Sequence, residues 1–368
     1  MDLVVMSLEP WDDVWRRNQH LVSRLLDTDA ALRVLFVEPA ADPLHDVVSR
    51  RRPSRGMRVT PAGYGGRLLR FRPMKMLPRR VDPRADLRLA RAVQAAVRHA
   101  GMTHPFLWVN DPGAAPLARL TGWLALYDIT DDWVAADRPA AELDRVRADE
   151  TWLLAHAEAV VACSRELVRR KSGERPDVVL IPNAVDVDAY RVPHPRPADL
   201  PERSAVYVGT LHRDRLDVDL CVSTARTLGT DSRLVLVGPN ALDPADTALL
   251  RDSGVLLLGA RPHDDVIAYL QHADVLVVPH VVTPFTDSLD PIKLYEYEAV
   301  GRHVVSTAVA GFREAVGGRI RVVPPSTFPL AAAAAIPAST VFPEGADADV
   351  PGWDDRAAAM RAVIDRLS

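Results

Sequence analysis

Short, nearly unbroken apolar runs alternate with helix-like patterns along the whole chain, and this alternation limits the fold more than any other feature. In the first half the runs are Leu3–Leu8, Arg33–Glu38, Phe106–Asn110, Leu124–Asp128, Ala159–Ala162 and Val178–Ile181, with helical patterns near 14–27, 83–100, 140–157 and 164–171. Apolar runs without polar alternation read as strands covered on both faces, as in a parallel sheet wrapped by helices. The predicted class is therefore α/β with doubly wound domains.

A proline-rich stretch, residues 190–201, interrupts the alternation and reads as a linker. A second series follows, with strands at Ala205–Val208, Leu234–Val237, Val255–Leu258, Val275–Val278, Val304–Ser306 and Ile320–Val323, and helices near 217–228, 244–252, 263–272 and 291–300. The pattern predicts two Rossmann-like domains, 1–188 and 204–353, joined by a linker at 189–203 and facing each other across a cleft. Ligands in such sheets bind beyond the carboxyl ends of the strands. Leu330–Ala335 is alanine-rich and left unassigned, and a last helix is expected at about 354–368.

Composition excludes several classes. The chain of 368 residues has a net charge of -4, which gives no general attraction to nucleic acid. Its two cysteines, Cys163 and Cys221, make a disulfide framework or a cysteine metal site improbable and fit a reducing cytoplasm. Residues 1–10 read as a first strand and not as a signal peptide. No apolar run approaches the roughly 20 residues that span a bilayer, so a cytoplasmic protein, free or peripheral on the inner face of the plasma membrane, is expected.

Residues 284–301 carry the strongest chemical signal. Pro279 closes one strand, Asp290 reads as an N-cap, Pro291 as the first helical residue and Gly301 as the left-handed residue past the end. The helix then runs over about 291–300, with Lys293 in its first turn and Glu296 on the same face. A helix N-terminus with a cation suits a phosphate. Lysine is rare here, three residues among 45 basic ones, although an ordinary surface pair at i, i+3 explains the spacing as well.

The segment Asp290-Pro291-Ile292-Lys293-Leu294-Tyr295-Glu296-Tyr297-Glu298-Ala299-Val300-Gly301 resembles the P-x-K-L-x-E-Y-x-A-x-G signature of GT-B glycosyltransferases, the group that includes GT4-like bacterial enzymes and xanthan-type glucuronosyltransferases. The resemblance implies that Lys293 touches the diphosphate of a nucleotide-sugar donor and that Glu296 holds the ribose hydroxyls. Ser288 stands where GT4 members usually carry a first Glu, which leaves retention or inversion open. The loop Gly209-Thr210-Leu211-His212-Arg213 is similar to the family's G-x-x-x-K/R loop. It makes Gly209 and Thr210 backbone contacts to the donor and gives Arg213 a charge-assisted contact to the leaving group, although Arg213 also reads as a surface residue. Around Arg261 the resemblance implies backbone contacts to the base, and a tight strand-to-helix turn explains Gly259 and Pro262 equally well.

Tyr127-Asp128-Ile129-Thr130-Asp131-Asp132-Trp133 places carboxylates after a buried strand, where crowding raises one pKa and makes a base. It is similar to the Y-D-x-x-D-D-W loop of some bacterial GT-B enzymes, which points to Asp131 first and Asp132 second. Helix capping by either is the alternative. Trp11, Asp12, Arg16 and His20 form an acceptor-side candidate next to the first strand, with tryptophan as a sugar-stacking wall or as packing. Residues 47–81 hold eleven basic and no acidic side chains. The stretch at 50–80 reads as contact with an anionic membrane surface, as a solvated loop, or as a pocket for an anionic acceptor.

The resulting expectation is metal-independent transfer of a sugar from a nucleoside diphosphate donor to a hydroxyl acceptor such as a glycan, lipid-linked intermediate or natural product, with no cofactor. The rivals are a nucleotide-sugar epimerase or phosphorylase on the same architecture, or a non-catalytic nucleotide-sugar binding protein.

Overall fold

The computed structural model describes residues 1–11, 15–48, 52–75, 77–79, 81–136, 138–315, 318–336 and 350–367. The chain forms two compact units, one of residues 1–182 with 353–368 and the other of residues 183–352.

Unit 1 holds β1 (Asp2–Met6), β2 (Arg33–Val37), β3 (Met57–Pro61), β4 (Leu68–Arg72), β5 (Phe106–Val109), β6 (Ala125–Ile129), β7 (Ala159–Ala162) and β8 (Val179–Leu180). Their order across the sheet is β3-β4-β2-β1-β5-β6-β7-β8, parallel except for β3, which runs antiparallel to β4. The order reverses between β1 and β5, so the carboxyl ends of these strands and of β6 form the edge at which a doubly wound sheet takes its ligands.

Unit 2 holds β9 (Ser204–Val208), β10 (Arg233–Val237), β11 (Leu256–Gly259), β12 (Val275–Val278), β13 (Val304–Ser306) and β14 (Ile320–Val322). They form a parallel sheet in the order β11-β10-β9-β12-β13-β14, with its switch point between β9 and β12. The uninterrupted apolar character of these strands has a direct cause. Val275 and Val277 of β12 face one core layer with Cys221 and Phe328, while Leu276 and Val278 face the other with Leu270, Tyr297 and Phe312. Both faces of the pleat are covered, so neither admits polar side chains.

Three sequence expectations change. The proline-rich segment is no loose tether. A helix forms at Val187–Arg191, and Gln271 Nε2 donates to the carbonyls of Tyr190 (3.0 Å) and Val192 (2.7 Å) while its Oε1 accepts from His194 N (2.9 Å). Asp290 is not an N-cap. The helix is Ile292–Val300 with Pro291 as its capping residue, because the Asp290 carboxylate instead accepts from Asn183 N and from the Tyr295 hydroxyl. The alanine-rich stretch is a helix, Phe328–Ala335, held by its apolar face.

The last helix, Trp353–Asp365, packs within unit 1 against the helix Arg17–Thr28. The His20 ring stacks on buried Trp353 with 4.8 Å between centroids, and the ion pairs Arg24–Asp354 (2.7 Å) and Arg361–Asp29 (2.6 Å) flank the stack.

Candidate functional site

In unit 2 the carboxyl ends of β9, β10 and β11 each end in glycine: Gly209 (φ 147°), Gly238 (φ 145°) and Gly259 (φ 74°). Gly209 N donates to Val237 O and Gly238 N to Gly259 O, both at 2.9 Å, so the three turns lock edge to edge into a shelf of bare backbone. A Cβ at Gly238 would overlap the carbonyl oxygen of Gly209, and one at Gly209 would lie 2.8 Å from Lys293 Nζ and 3.1 Å from the Tyr207 hydroxyl. Only glycine permits this close approach.

Lys293 brings its ammonium to the shelf from the first turn of the helix Ile292–Val300, which Gly301 closes in the left-handed conformation at φ 72°. Its Nζ lies 4.0 Å from the centroid of the Tyr207 ring. Burial of the ammonium pushes its pKa down to about 7, an effect that Glu296 opposes and Arg215 reinforces. No ion pair to Lys293 occurs among the described residues. Beneath it the Tyr207 hydroxyl and His280 Nε2 are 3.0 Å apart. Burial raises the phenol and holds the imidazole well below its usual value, with Lys293 and Arg215 adding to the latter, so the phenol donates to a neutral ring. Glu296, one turn along, accepts a 2.7 Å hydrogen bond from Tyr190 at Oε1.

The other donor-side candidates are placed differently. Thr210 is exposed just beyond Gly209. Arg213 is exposed and paired with Asp246, away from Lys293. The arginine whose charge Lys293 and His280 feel is Arg215, with its guanidinium 5.6 Å over the Phe285 ring, a residue that the sequence reading did not single out. The Arg261 guanidinium bonds the Tyr269 hydroxyl (3.2 Å) and Asp199 (2.8 Å), which pins the loop after β11 to the former linker. Ser288 is fully buried and its hydroxyl donates to Phe285 O (2.7 Å), so that hydroxyl is turned into its own loop.

In unit 1 the acidic loop follows β6. Asp128, fully buried, accepts from Arg17 Nε and Nη2 at 3.0 Å, from Trp108 Nε1 at 3.2 Å and from Asn110 Nδ2 at 3.1 Å. Asp132 is also buried: Arg170 Nη1 (2.8 Å) and Lys171 Nζ (3.1 Å) occupy both of its oxygens. Lys171 also reaches Glu150 (2.8 Å), which accepts from the Tyr127 hydroxyl. Asp132 is thus an anchor of the loop, which corrects its candidacy as a base. Asp131 stays half-buried, with the Thr130 hydroxyl donating to its Oδ2 at 3.1 Å.

Of the acceptor-side candidates, Trp11 packs edge-on against Phe36 and 5.6 Å from Trp15, which in turn meets His20. Arg16 pairs with Glu9 (2.9 Å) and its backbone N–H is capped by Gln19. With Trp353 under His20, these rings form one aromatic row that the sequence reading saw only in part. Asp12 lies outside the described residues.

The basic stretch is largely internal wiring. Arg67 donates to the carbonyls of Leu26 and Asp29, Arg70 and Arg72 both pair with buried Glu38, Lys75 pairs with Asp42 and Arg79 with Asp86. Arg52, Arg55 and Arg58 remain exposed. Arg50, Arg51, Met76 and Arg80 lie outside the described residues. No helix among the described residues is long and apolar enough to cross a membrane.

Comparison with known proteins agrees with this geometry. Residues 202–338 match the protein-family model described as Glycosyl transferases group 1. Over 218 residues the chain is 25% identical to a protein of Bacillus subtilis (strain 168) named as a teichuronic acid biosynthesis glycosyltransferase, TuaH; the aligned region covers 55% of each, so the chain spans about half the length of that relative. Among solved structures, sucrose-phosphate synthase from Thermosynechococcus elongatus superposes with a TM-score of 0.67 at 18% identity, covering 100% of this chain and 98% of that one. Anabaena HepE in complex with UDP and glucose gives 0.67 at 14%, covering 99% of each. The Escherichia coli trehalose-6-phosphate structure bound with UDP-2-fluoro glucose gives 0.64 at 13%, covering 100% and 96%. The chain has the GT-B fold, and its residues 202–338 match a group 1 glycosyltransferase domain.

Proposed function

We propose that this protein is a glycosyltransferase that moves a sugar from a nucleoside diphosphate donor, bound by unit 2, to a hydroxyl acceptor. The observation that carries the reading is the Lys293 ammonium held against the bare shelf at Gly209 with no ion pair among the described residues. An anion that accepts from the ammonium and lies along bare backbone is what such a place stabilises, and a diphosphate has that form. HepE holds UDP and glucose in its solved complex, which makes uridine the first base to test.

In the step itself the acceptor oxygen bonds to the anomeric carbon and its proton passes to Asp131. The bond from that carbon to the diphosphate breaks, and its electron pair leaves with the diphosphate. Lys293 and Arg215 stabilise the charge that develops there, the role that a metal ion fills elsewhere, so transfer proceeds without one. With Asp131 as base, inversion of the anomeric centre is favoured.

The test is hydrolysis and transfer from a panel of UDP- and GDP-sugars, with and without chelator. Asp131→Asn is expected to lower kcat by about 100-fold or more while nucleotide affinity stays within about twofold. Nucleotide binding with no turnover would reduce the protein to a binding module, and an unaffected Asp131→Asn variant would mean that another group takes the proton.

We further propose that the protein works as a cytoplasmic enzyme at an anionic membrane surface, through exposed Arg52, Arg55 and Arg58 with exposed Leu44, Val47 and Val48. Each arginine contributes about 1 kcal/mol near an anionic leaflet. Co-sedimentation with phosphatidylserine vesicles should fall by about tenfold or more when all three become Glu. Equal binding to neutral vesicles contradicts the proposal.

A further inference from the structure

Transfer chemistry gives no role to Tyr190, a residue of the segment that sequence composition marks as a linker. It sits in the helix Val187–Arg191, is 3% exposed, and has its backbone clamped by Gln271, itself 1% exposed. The His263 ring meets it edge-on at 6.0 Å. On that fixed base the phenol donates to Glu296 Oε1 at 2.7 Å. Burial, with the Glu296 charge beside it, pushes the phenol well above its ordinary pKa, so it keeps its proton and remains a donor.

A glutamate on the first turns of a helix has three rotatable bonds and samples several directions unless something holds it. Tyr190 holds one oxygen. A carboxylate oxygen has two lone pairs, so Oε1 can still accept once more, and no hydrogen bond to Oε2 occurs among the described residues. The carboxylate is therefore presented as a fixed pair of acceptors on the helix that also carries Lys293, suited to a vicinal diol.

We propose that Tyr190 is a positioning residue for the nucleotide: it fixes Glu296 so that the carboxylate accepts from both ribose hydroxyls, and thereby sets the preference for ribonucleotides over 2′-deoxynucleotides. This rests on the donor reading above.

The experiment is calorimetry with UDP, 2′-deoxy-UDP, GDP and 2′-deoxy-GDP on wild type, Tyr190→Phe, Glu296→Gln and the double variant. For the base that binds, wild type should favour the ribonucleotide by about tenfold or more. Tyr190→Phe should lose most of that preference by weakening the ribonucleotide alone, and the double variant should be no worse than Glu296→Gln. A merely structural tyrosine would weaken both sugars alike. Full discrimination retained in Tyr190→Phe, or a double variant with additive losses, overturns the role of Tyr190 and leaves the donor reading intact. No discrimination in wild type overturns the ribose role of Glu296 and Tyr190 and leaves the diphosphate site at Lys293 standing, whereas no nucleotide binding overturns both. Should Tyr190→Phe melt early, the Glu296→Gln variant still decides whether the diol is read at this carboxylate.

Discussion

Replacing Lys293 with methionine is expected to weaken nucleoside diphosphate binding and sugar transfer by about 100- to 1,000-fold, the range seen when one preorganised group facing developing charge is removed. The empty protein already carries the burden of a buried ammonium, whose pKa falls from 10.5 to about 7. A bound diphosphate restores the charged form. The sign follows directly: between about pH 7 and pH 9 the empty site has lost a proton that the occupied site holds, so binding takes up protons and affinity falls as pH rises, by at most about tenfold per unit. Below about pH 7 the profile should be flat. Stability runs the other way. The unfolded chain keeps the proton above pH 7 and the folded chain does not, so wild type without ligand gains stability as pH rises from 7 toward 10. Lys293→Met should therefore melt higher than wild type at pH 6.5, with its nucleotide affinity both weak and independent of pH. Calorimetry in two buffers of different ionisation enthalpy, beside thermal melts, checks each part. An unchanged affinity in Lys293→Met would mean that the anion sits elsewhere.

Gly238→Ala is expected to destabilise unit 2 by about 4 kcal/mol or more, the far end of the range for single substitutions. Two penalties coincide there. The backbone lies at φ 145°, a region open in practice to glycine alone, and the added methyl group would run into the carbonyl oxygen of Gly209. That oxygen belongs to backbone tied to Val237, so neither side can yield without breaking the edge of β9 or β10. Gly122 is the control: at φ 62° and ψ 20° it lies in the left-handed helical region and nothing lies within 4 Å of its Cβ position, so Gly122→Ala should cost only about 1 kcal/mol. Denaturant unfolding of the two variants separates crowding from backbone strain, and similar midpoints would show that the glycine shelf is not tightly locked.

The architecture was legible because strands buried on both faces must be apolar throughout, and β12 is the clear example. The strands β3 and β4 escaped notice because Arg70 and Arg72 put charge at alternate positions of Leu68–Arg72, and a lone sequence gives no sign that both charges end on Glu38, just past the adjoining strand β2. Lys293 and Glu296 could be found because a helix makes positions three apart neighbours by construction. Tyr190 lies 106 residues from the carboxylate it holds, and Asp132 meets its partners 38 and 39 residues later. Pairings at that separation follow from the packed fold, so a reading by local spacing kept Asp132 as the second candidate for a base, after Asp131, and placed Tyr190 in a spacer. Arg215 was missed for a smaller reason. Within Arg213-Asp214-Arg215 the turn decides which arginine acts on Lys293 and His280, and turns are where sequence spacing carries least geometry.

The return of Trp353–Asp365 to the first unit has a consequence for biosynthesis. A nascent chain that has emerged through Pro182 lacks the indole on which His20 stacks and the partners of Arg24 and Asp29, and these arrive only after every residue of the second unit has left the ribosome. At about 5–20 residues per second that interval is roughly ten to thirty seconds, during which the apolar flank of an early helix waits uncovered. Vectorial synthesis therefore completes the later unit before it can seal the earlier one.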